Sequence, residues 1–172
     1  LADRITRDGD PLASFQAVIQ AADKLTRLHR ALLLHGDIKP ANIIVGVDGQ
    51  ATLVDLGLAA TFCEEGVRPE GLTPKYAAPE LFEGSPLTVR AEVFALGATM
   101  AEVLSMHRHH LAKEALPAFD EIVARATASD PDARYPSADE LRSALARAVR
   151  AARGDAAAQT SVVLDAAIPD GT

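Results

Sequence analysis

The sequence predicts an α+β domain, mostly helical, with one small β-hairpin. Three observations carry that expectation: a long amphipathic stretch opened by Asp10-Pro11, two short β-prone runs joined by a turn at 43–54, and a stretch at 88–104 that is apolar on nearly every side. The 172 residues suffice for one domain with a sizeable core. Apolar residues make up 48% and charged residues 24%, a mix that excludes disorder along the whole chain. The net charge of −7 argues against a generic nucleic-acid or anionic-membrane binder. No apolar run approaches the roughly 20 residues that a membrane-spanning helix needs. Cys63 is the only cysteine, so an internal disulfide and a cysteine-based zinc site are excluded, and a reducing, cytoplasmic setting fits.

Asp10 is a helix N-cap and Pro11 fits the first helical position. Leu12, Phe15, Val18, Ile19, Ala22, Leu25, Leu28 and Leu32 then recur every three or four residues, which predicts a helix ending near His35-Gly36. Ile43–Val45 and Ala51–Val54 flank Gly46-Val47-Asp48-Gly49, a turn signal, and read as a hairpin. Residues 56–87 are rich in Gly and Pro with little periodicity, a long irregular segment of the kind that often carries function. A helix from Thr88 to Leu104 should be buried, because Phe94, Ala95, Ala98 and Val103 cover much of what the Val89–Val93–Leu96–Met100 face leaves. Phe119, Ile122, Val123 and Ala126 form another amphipathic helix, stopped by Asp130-Pro131. Ser137 with Glu140 is a capping box before a helix through Leu141, Leu145 and Val149. From Gly154 the chain is Ala-rich and weakly patterned, and a tail or linker is expected over 154–172.

The stretch richest in chemistry is His35-Gly36-Asp37-Ile38-Lys39-Pro40-Ala41-Asn42, followed by the hairpin and Asp55-Leu56-Gly57. Phosphoryl transfer needs a carboxylate near the acceptor hydroxyl, ligands for Mg²⁺ and positive charge at the transferred group. Asp37 can supply the first, Asn42 and Asp55 the metal ligands, and Lys39 the charge. A hairpin between them would bring 37 and 55 together.

These residues resemble the catalytic loop of eukaryotic-like protein kinases, H-R-D-x-K-x-x-N, with D-F-G written as Asp55-Leu56-Gly57. Thr73-Pro74-Lys75-Tyr76-Ala77-Ala78-Pro79-Glu80 resembles T-P-x-Y-x-A-P-E, which closes the family's activation segment. Glu92-Val93-Phe94-Ala95-Leu96-Gly97 resembles D-x-W-S-x-G at the opening of its central buried helix, and Asp130-Pro131 through Arg134-Tyr135-Pro136-Ser137-Ala138 resembles the end of bacterial serine/threonine kinase domains. The five motifs fall in the family's order over residues 10–150. The resemblance implies the large, C-terminal lobe of a serine/threonine protein kinase over 10–153, with the catalytic loop at 35–42 and the activation segment at 55–80. ATP and Mg²⁺ would be its cofactors and a protein Ser/Thr hydroxyl its acceptor. By the same resemblance Asp37 is the catalytic base, Lys39 contacts the γ-phosphate, and Asn42 and Asp55 hold Mg²⁺. Thr73 bridges Asp37 and Lys39, and Glu80 forms a buried ion pair with Arg134.

The pattern also breaks. No G-x-G-x-x-G and no V-A-I-K occurs, so the small lobe is absent from this sequence, and residues 1–9 are read as a remnant of the segment joining the lobes. Leu1 in place of Met suggests truncation. Without that lobe an apolar face near Ile38, Ile44 and Val54 should be exposed and could drive self-association. Only 36 residues separate Gly97 from Arg134, so the family's substrate-docking helix should be reduced or missing. Gly36 replaces the arginine that normally meets an activation-segment phosphate, which weakens the case for Thr61 as a regulatory phosphosite. Glu92 replaces an aspartate, one methylene shorter.

Two other functions compete: a catalytically inactive scaffold, opposed by the intact Asp37, Asn42 and Asp55, and a small-molecule phosphotransferase of the aminoglycoside or choline kinase kind. The latter shares H-G-D…N, but usually lacks a lysine equivalent to Lys39 and lacks T-P-x-Y-x-A-P-E. His35 is expected to be packed and hydrogen-bonded, not catalytic. His107, His109 and His110 are expected in a solvated loop, and Cys63 has no partner with which to form a redox switch.

Overall fold

A computed structural model describes residues 10–55, 60–61 and 73–166. Helix α1 spans Pro11–Arg30, and the Asp10 side chain caps it by accepting from the Leu12 N–H at 2.9 Å. Its buried stripe of Phe15, Val18, Ala22 and Leu25 is the face the periodicity predicts. The helix nevertheless stops five residues short of His35. Leu32 takes φ +58°, which the helix cannot continue through, and Leu33–Leu34 form strand β1. Three consecutive leucines satisfy either period, and their pairing partner settles the outcome: β1 runs antiparallel to β4 (Ala60–Thr61), a second small sheet that the sequence did not announce.

The expected hairpin forms from β2 (Ile43–Val45) and β3 (Ala51–Leu53), with Ile43 opposite Leu53 and Val45 opposite Ala51. Its turn closes through Gly46 N–H to Gln50 O at 2.8 Å, with Gly49 at φ +80°, a conformation natural to glycine. The Gln20 side chain on α1 accepts from the Ala51 N–H and so ties the hairpin to the helix.

A four-residue helix α2 (Pro79–Phe82) precedes the central helix α3 (Val89–His107), which Thr88 caps by accepting from the Ala91 N–H at 3.1 Å. Val93, Leu96, Met100, Val103 and Leu104 are all buried, so α3 has little solvent face. Around it pack α1, α4 (Leu116–Ala126) and α5 (Ala138–Ala166). Phe15 of α1 stacks on Phe119 of α4 with ring centroids 4.5 Å apart. Ser137 opens α5 by accepting from the Glu140 N–H at 3.2 Å. Between α3 and α4 only one 3₁₀ turn, Arg108–His110, is formed, where the sequence led us to expect the family's docking helix to be reduced or missing.

Three expectations need correction. Ile38 is buried at 3% exposure, so of the proposed apolar face Ile44 is the residue that stands half exposed, with Val54 between the two. His107 is the last residue of α3 and is buried, whereas His109 and His110 are exposed. The segment after Gly154 continues α5 to Ala166, because alanine's high helix propensity outweighs one glycine. The calls on residues 1–9, Leu56, Gly57, Cys63 and 167–172 lie outside the described residues.

Gly97 is where α3 and α4 come closest. A Cβ there would lie 2.6 Å from Ala126 Cβ and 3.0 Å from Thr127 Cγ2. We expect Gly97→Ala to cost about 1–3 kcal/mol by overpacking, read as a lower midpoint in chemical denaturation.

Candidate active site

The loop at 35–42 carries few apolar residues, and polar anchors fix its shape. Glu92, buried within α3, points its carboxylate at the loop backbone. Oε1 accepts from His35 N–H and Gly36 N–H, each at 2.7 Å, and Oε2 accepts from His29 Nε2 at 2.8 Å. Gly36 sits at φ +87°, a region that strains any L side chain, so the glycine has a backbone reason apart from the lost arginine. His35 is fully buried and hydrogen-bonded as expected. Its Nε2 donates to Val54 O at 3.1 Å and its Nδ1 accepts from Asp37 N–H at 3.3 Å, which assigns the Nε2–H tautomer.

These bonds gather the predicted side chains. Asn42 Nδ2 donates to Asp37 O at 2.7 Å and to Asp37 Oδ2 at 2.9 Å. Lys39 Nζ pairs with Asp37 Oδ2 and donates to Thr73 Oγ1 at 3.2 Å, and Thr73 Oγ1 donates to Asp37 Oδ1 at 3.3 Å. Thr73 thus touches both Asp37 and Lys39 across 34 residues or more of chain. Asp55 follows Val54, whose N–H donates to Asn42 O at 3.0 Å and whose carbonyl accepts from His35. It stands exposed with φ +63°, a left-handed conformation that aspartate tolerates better than most residues. Beside Asp37 lies a small recess of about 20 Å³ lined by Ile38, Thr73, Tyr76, Ala77, Leu81 and Leu87 among others.

The turn bearing Thr73 is held by residues that the sequence reading passed over. Tyr76 N–H and Ala77 N–H both donate to Thr73 O, at 2.9 and 3.2 Å. Tyr76 Oη and Lys75 Nζ both donate to Glu102 Oε2 on α3, each at 2.5 Å. Burial alone would raise the Glu102 carboxyl, but the bonds from Lys75 and Tyr76 overcome it and hold the group below the usual carboxylate range. Burial first, and the bond to Glu102 second, push the Tyr76 hydroxyl above its ordinary value. The signal in the sequence was a second carboxylate at 102, ten residues after Glu92 on a largely apolar helix.

The Glu80–Arg134 pair is present and bidentate, with NH1–Oε1 and NH2–Oε2 both at 2.7 Å. The Arg134 side chain is fully buried, and its remaining donors reach Ala128 O, Arg90 O and Ser129 O at 2.7, 3.1 and 3.0 Å. All five guanidinium N–H groups therefore have acceptors, the condition under which a buried arginine is tolerated.

The donor set suits a hard cation. Asn42 is held by its amide nitrogen, which leaves the oxygen as the end a metal would meet, and Asp55 adds a carboxylate. Among the described residues no group of three His, Cys, Asp or Glu could hold a metal by itself.

A family profile for the protein kinase domain matches residues 12–150. The chain belongs to the protein kinase family. Its curated relatives place it in the bacterial serine/threonine branch. Over 91% of its length it is 34% identical to the serine/threonine-protein kinase PknE of Mycobacterium tuberculosis, covering 32% of that protein. Over 81% of its length it is 32% identical to PknH of Mycobacterium bovis, covering 28% of it. The chain thus spans about a third of the length of these kinases. No described helix is long and apolar enough to cross a membrane.

Two outcomes test the anchors. Removing one partner of the buried pair, by Arg134→Met, should cost about 3–5 kcal/mol in urea unfolding. Burial acts to raise the Glu80 carboxyl, but Arg134 and the backbone bring it below 4.5. The pair's stabilisation is therefore complete above pH 4.5 and drains away as pH falls through the lowered folded value, so the wild type should lose stability over that acid range faster than Arg134→Met. For the Thr73 turn, Glu102→Gln should cost about 1–3 kcal/mol and speed hydrogen exchange at the Tyr76 and Ala77 amides.

Proposed function

We propose that the chain is the large lobe of a bacterial serine/threonine protein kinase that transfers the ATP γ-phosphoryl group to a Ser or Thr hydroxyl of a protein. The observation that carries this reading is the Asp37–Lys39–Thr73 contact, in which a hydroxyl lies against the carboxylate and the ammonium at once. An acceptor hydroxyl would take that kind of place. Asp37 accepts its proton as the oxygen bonds to the γ-phosphorus and the bond to the ADP oxygen breaks. Lys39 holds positive charge at the edge of the carboxylate, where the charge of the transferred group is greatest. Thr73 keeps Asp37 and Lys39 in register. Asn42 and Asp55 would hold Mg²⁺, which supplies charge neutralisation for the phosphates.

The recess at Ile38, Tyr76, Ala77, Leu81 and Leu87 borders Asp37 and would receive a small apolar side chain of the acceptor polypeptide. The T-P-x-Y-x-A-P-E stretch that forms part of its wall is what the small-molecule phosphotransferases lack, and it supports a protein acceptor. The ATP-binding part of the cleft contributed by a small lobe is not encoded in these residues.

The test is radiolabel transfer from ATP to a generic protein acceptor by the full-length protein. Asp37→Asn should lower kcat by about 10²–10⁴, the usual worth of a positioned acid–base group, with little change in the KM for ATP. Equal transfer by the wild type and Asp37→Asn would remove the proposal.

A further inference from the structure

We propose that His107 is a buried proton switch that fastens the first turns of α1 to the end of α3 near neutral pH and loosens that contact on acidification. The imidazole is 3% exposed, and its Nε2 lies 3.2 Å from the hydroxyl of Ser14, itself 3% exposed, on the facing helix. Ninety-three residues separate the two, so the contact joins distant parts of the chain. A neutral imidazole can accept from or donate to a hydroxyl. An imidazolium can only donate, so protonation fixes the direction of this bond and places a charge among buried groups.

The surrounding charges are few. His110, on the 3₁₀ turn after α3, stands edge-on with ring centroids 6.4 Å apart, and its own protonation would repel a charge on His107. Asp10, at the start of α1, acts the other way and favours the charged ring. The neighbouring Arg108 is engaged by Asp120 of α4 through two 2.8 Å bonds. The negative end of α3 also favours a cation. Burial outweighs these attractions and, with His110, holds His107 below the ordinary 6.5. A histidine lowered in the folded state binds fewer protons there than in the unfolded chain. The contact is therefore at full strength above pH 6.5 and weakens as pH drops from there through the lowered folded value. The contact involves none of the residues proposed for phosphoryl transfer.

The experiment is an NMR titration of the His107 ring in the full chain, paired with thermal unfolding at pH 7.5 and 5.5. The wild type should titrate at His107 below 6.5 and lose about 2–4 °C more between the two pH values than His107→Gln, whose amide can still meet Ser14. Titration at or above 6.5, or an equal loss in both proteins, overturns the proposal. If His107→Gln does not fold, two other variants decide by the titration alone. His110→Gln should raise the His107 midpoint and Asp10→Asn, which keeps the helix cap, should lower it. A midpoint that moves in neither overturns the proposal as well.

Discussion

The Glu92 carboxylate is the constraint on which the site depends. An ionised carboxylate at 2% exposure would cost several kcal/mol if left without donors. It is tolerable here because three N–H groups converge on it, two from the loop backbone at 35–36 and one from His29. The dependence runs in both directions. The loop cannot leave without stranding a buried charge, and the charge could not be buried without the loop. Aspartate, the usual residue of the family motif, is one methylene shorter. The longer Glu92 side chain still reaches both loop amides and also meets His29 at the end of α1, so one carboxylate ties the loop to two helices.

Polar anchoring of this kind answers a problem in the sequence. Residues 35–42 and 73–80, the segments of the proposed site, have few large apolar side chains, so hydrophobic burial alone gives them little order. Each is instead fixed by a charged group whose departure would be costly: Glu92 for the first, and Glu102 and Arg134 for the second. Individually such buried ions contribute little net stability against an apolar core of the same shape. What they provide is a single geometry, because each has few ways of satisfying its bonds.

Much of this was legible beforehand, and the limits have physical causes. The helices at α1, α3, α4 and α5 follow from apolar spacing and, for α1 and α5, from caps at Asp10 and Ser137, signals that lie within one turn of the residues they control. Asp37, Lys39 and Asn42 could be singled out because phosphoryl transfer calls for residues of those types, and Thr73 only through the resemblance of 73–80 to the family's T-P-x-Y-x-A-P-E. The end of α1 was misplaced because Leu32-Leu33-Leu34 is equally apolar in either period, and the deciding partner, β4, lies 26 residues onward. His107 looked like part of a solvated cluster because burial depends on the facing helix, and Ser14 leaves no mark in the local pattern. Glu102 was missed for the same reason: its partners Lys75 and Tyr76 are brought to it by a turn, not by periodicity.

The three anchors share a further property. Glu92, Glu102 and the Arg90 carbonyl that receives Arg134 all belong to α3, and Glu92 and Glu102 lie about 15 Å apart along its axis at 1.5 Å per residue. One buried helix therefore sets the spacing between the loop carrying Asp37 and the turn carrying Thr73. A helix packed on nearly all sides flexes little, and Gly97, midway between the two carboxylates, lets α4 press against it closely. The 3.3 Å contact between Thr73 and Asp37 then follows from where α3 places two separate segments, and needs no direct cohesion between them. It also explains why the shortened connection after α3 leaves the site intact: the missing helix lies beyond the last anchor, and nothing that positions Asp37 or Thr73 passes through it.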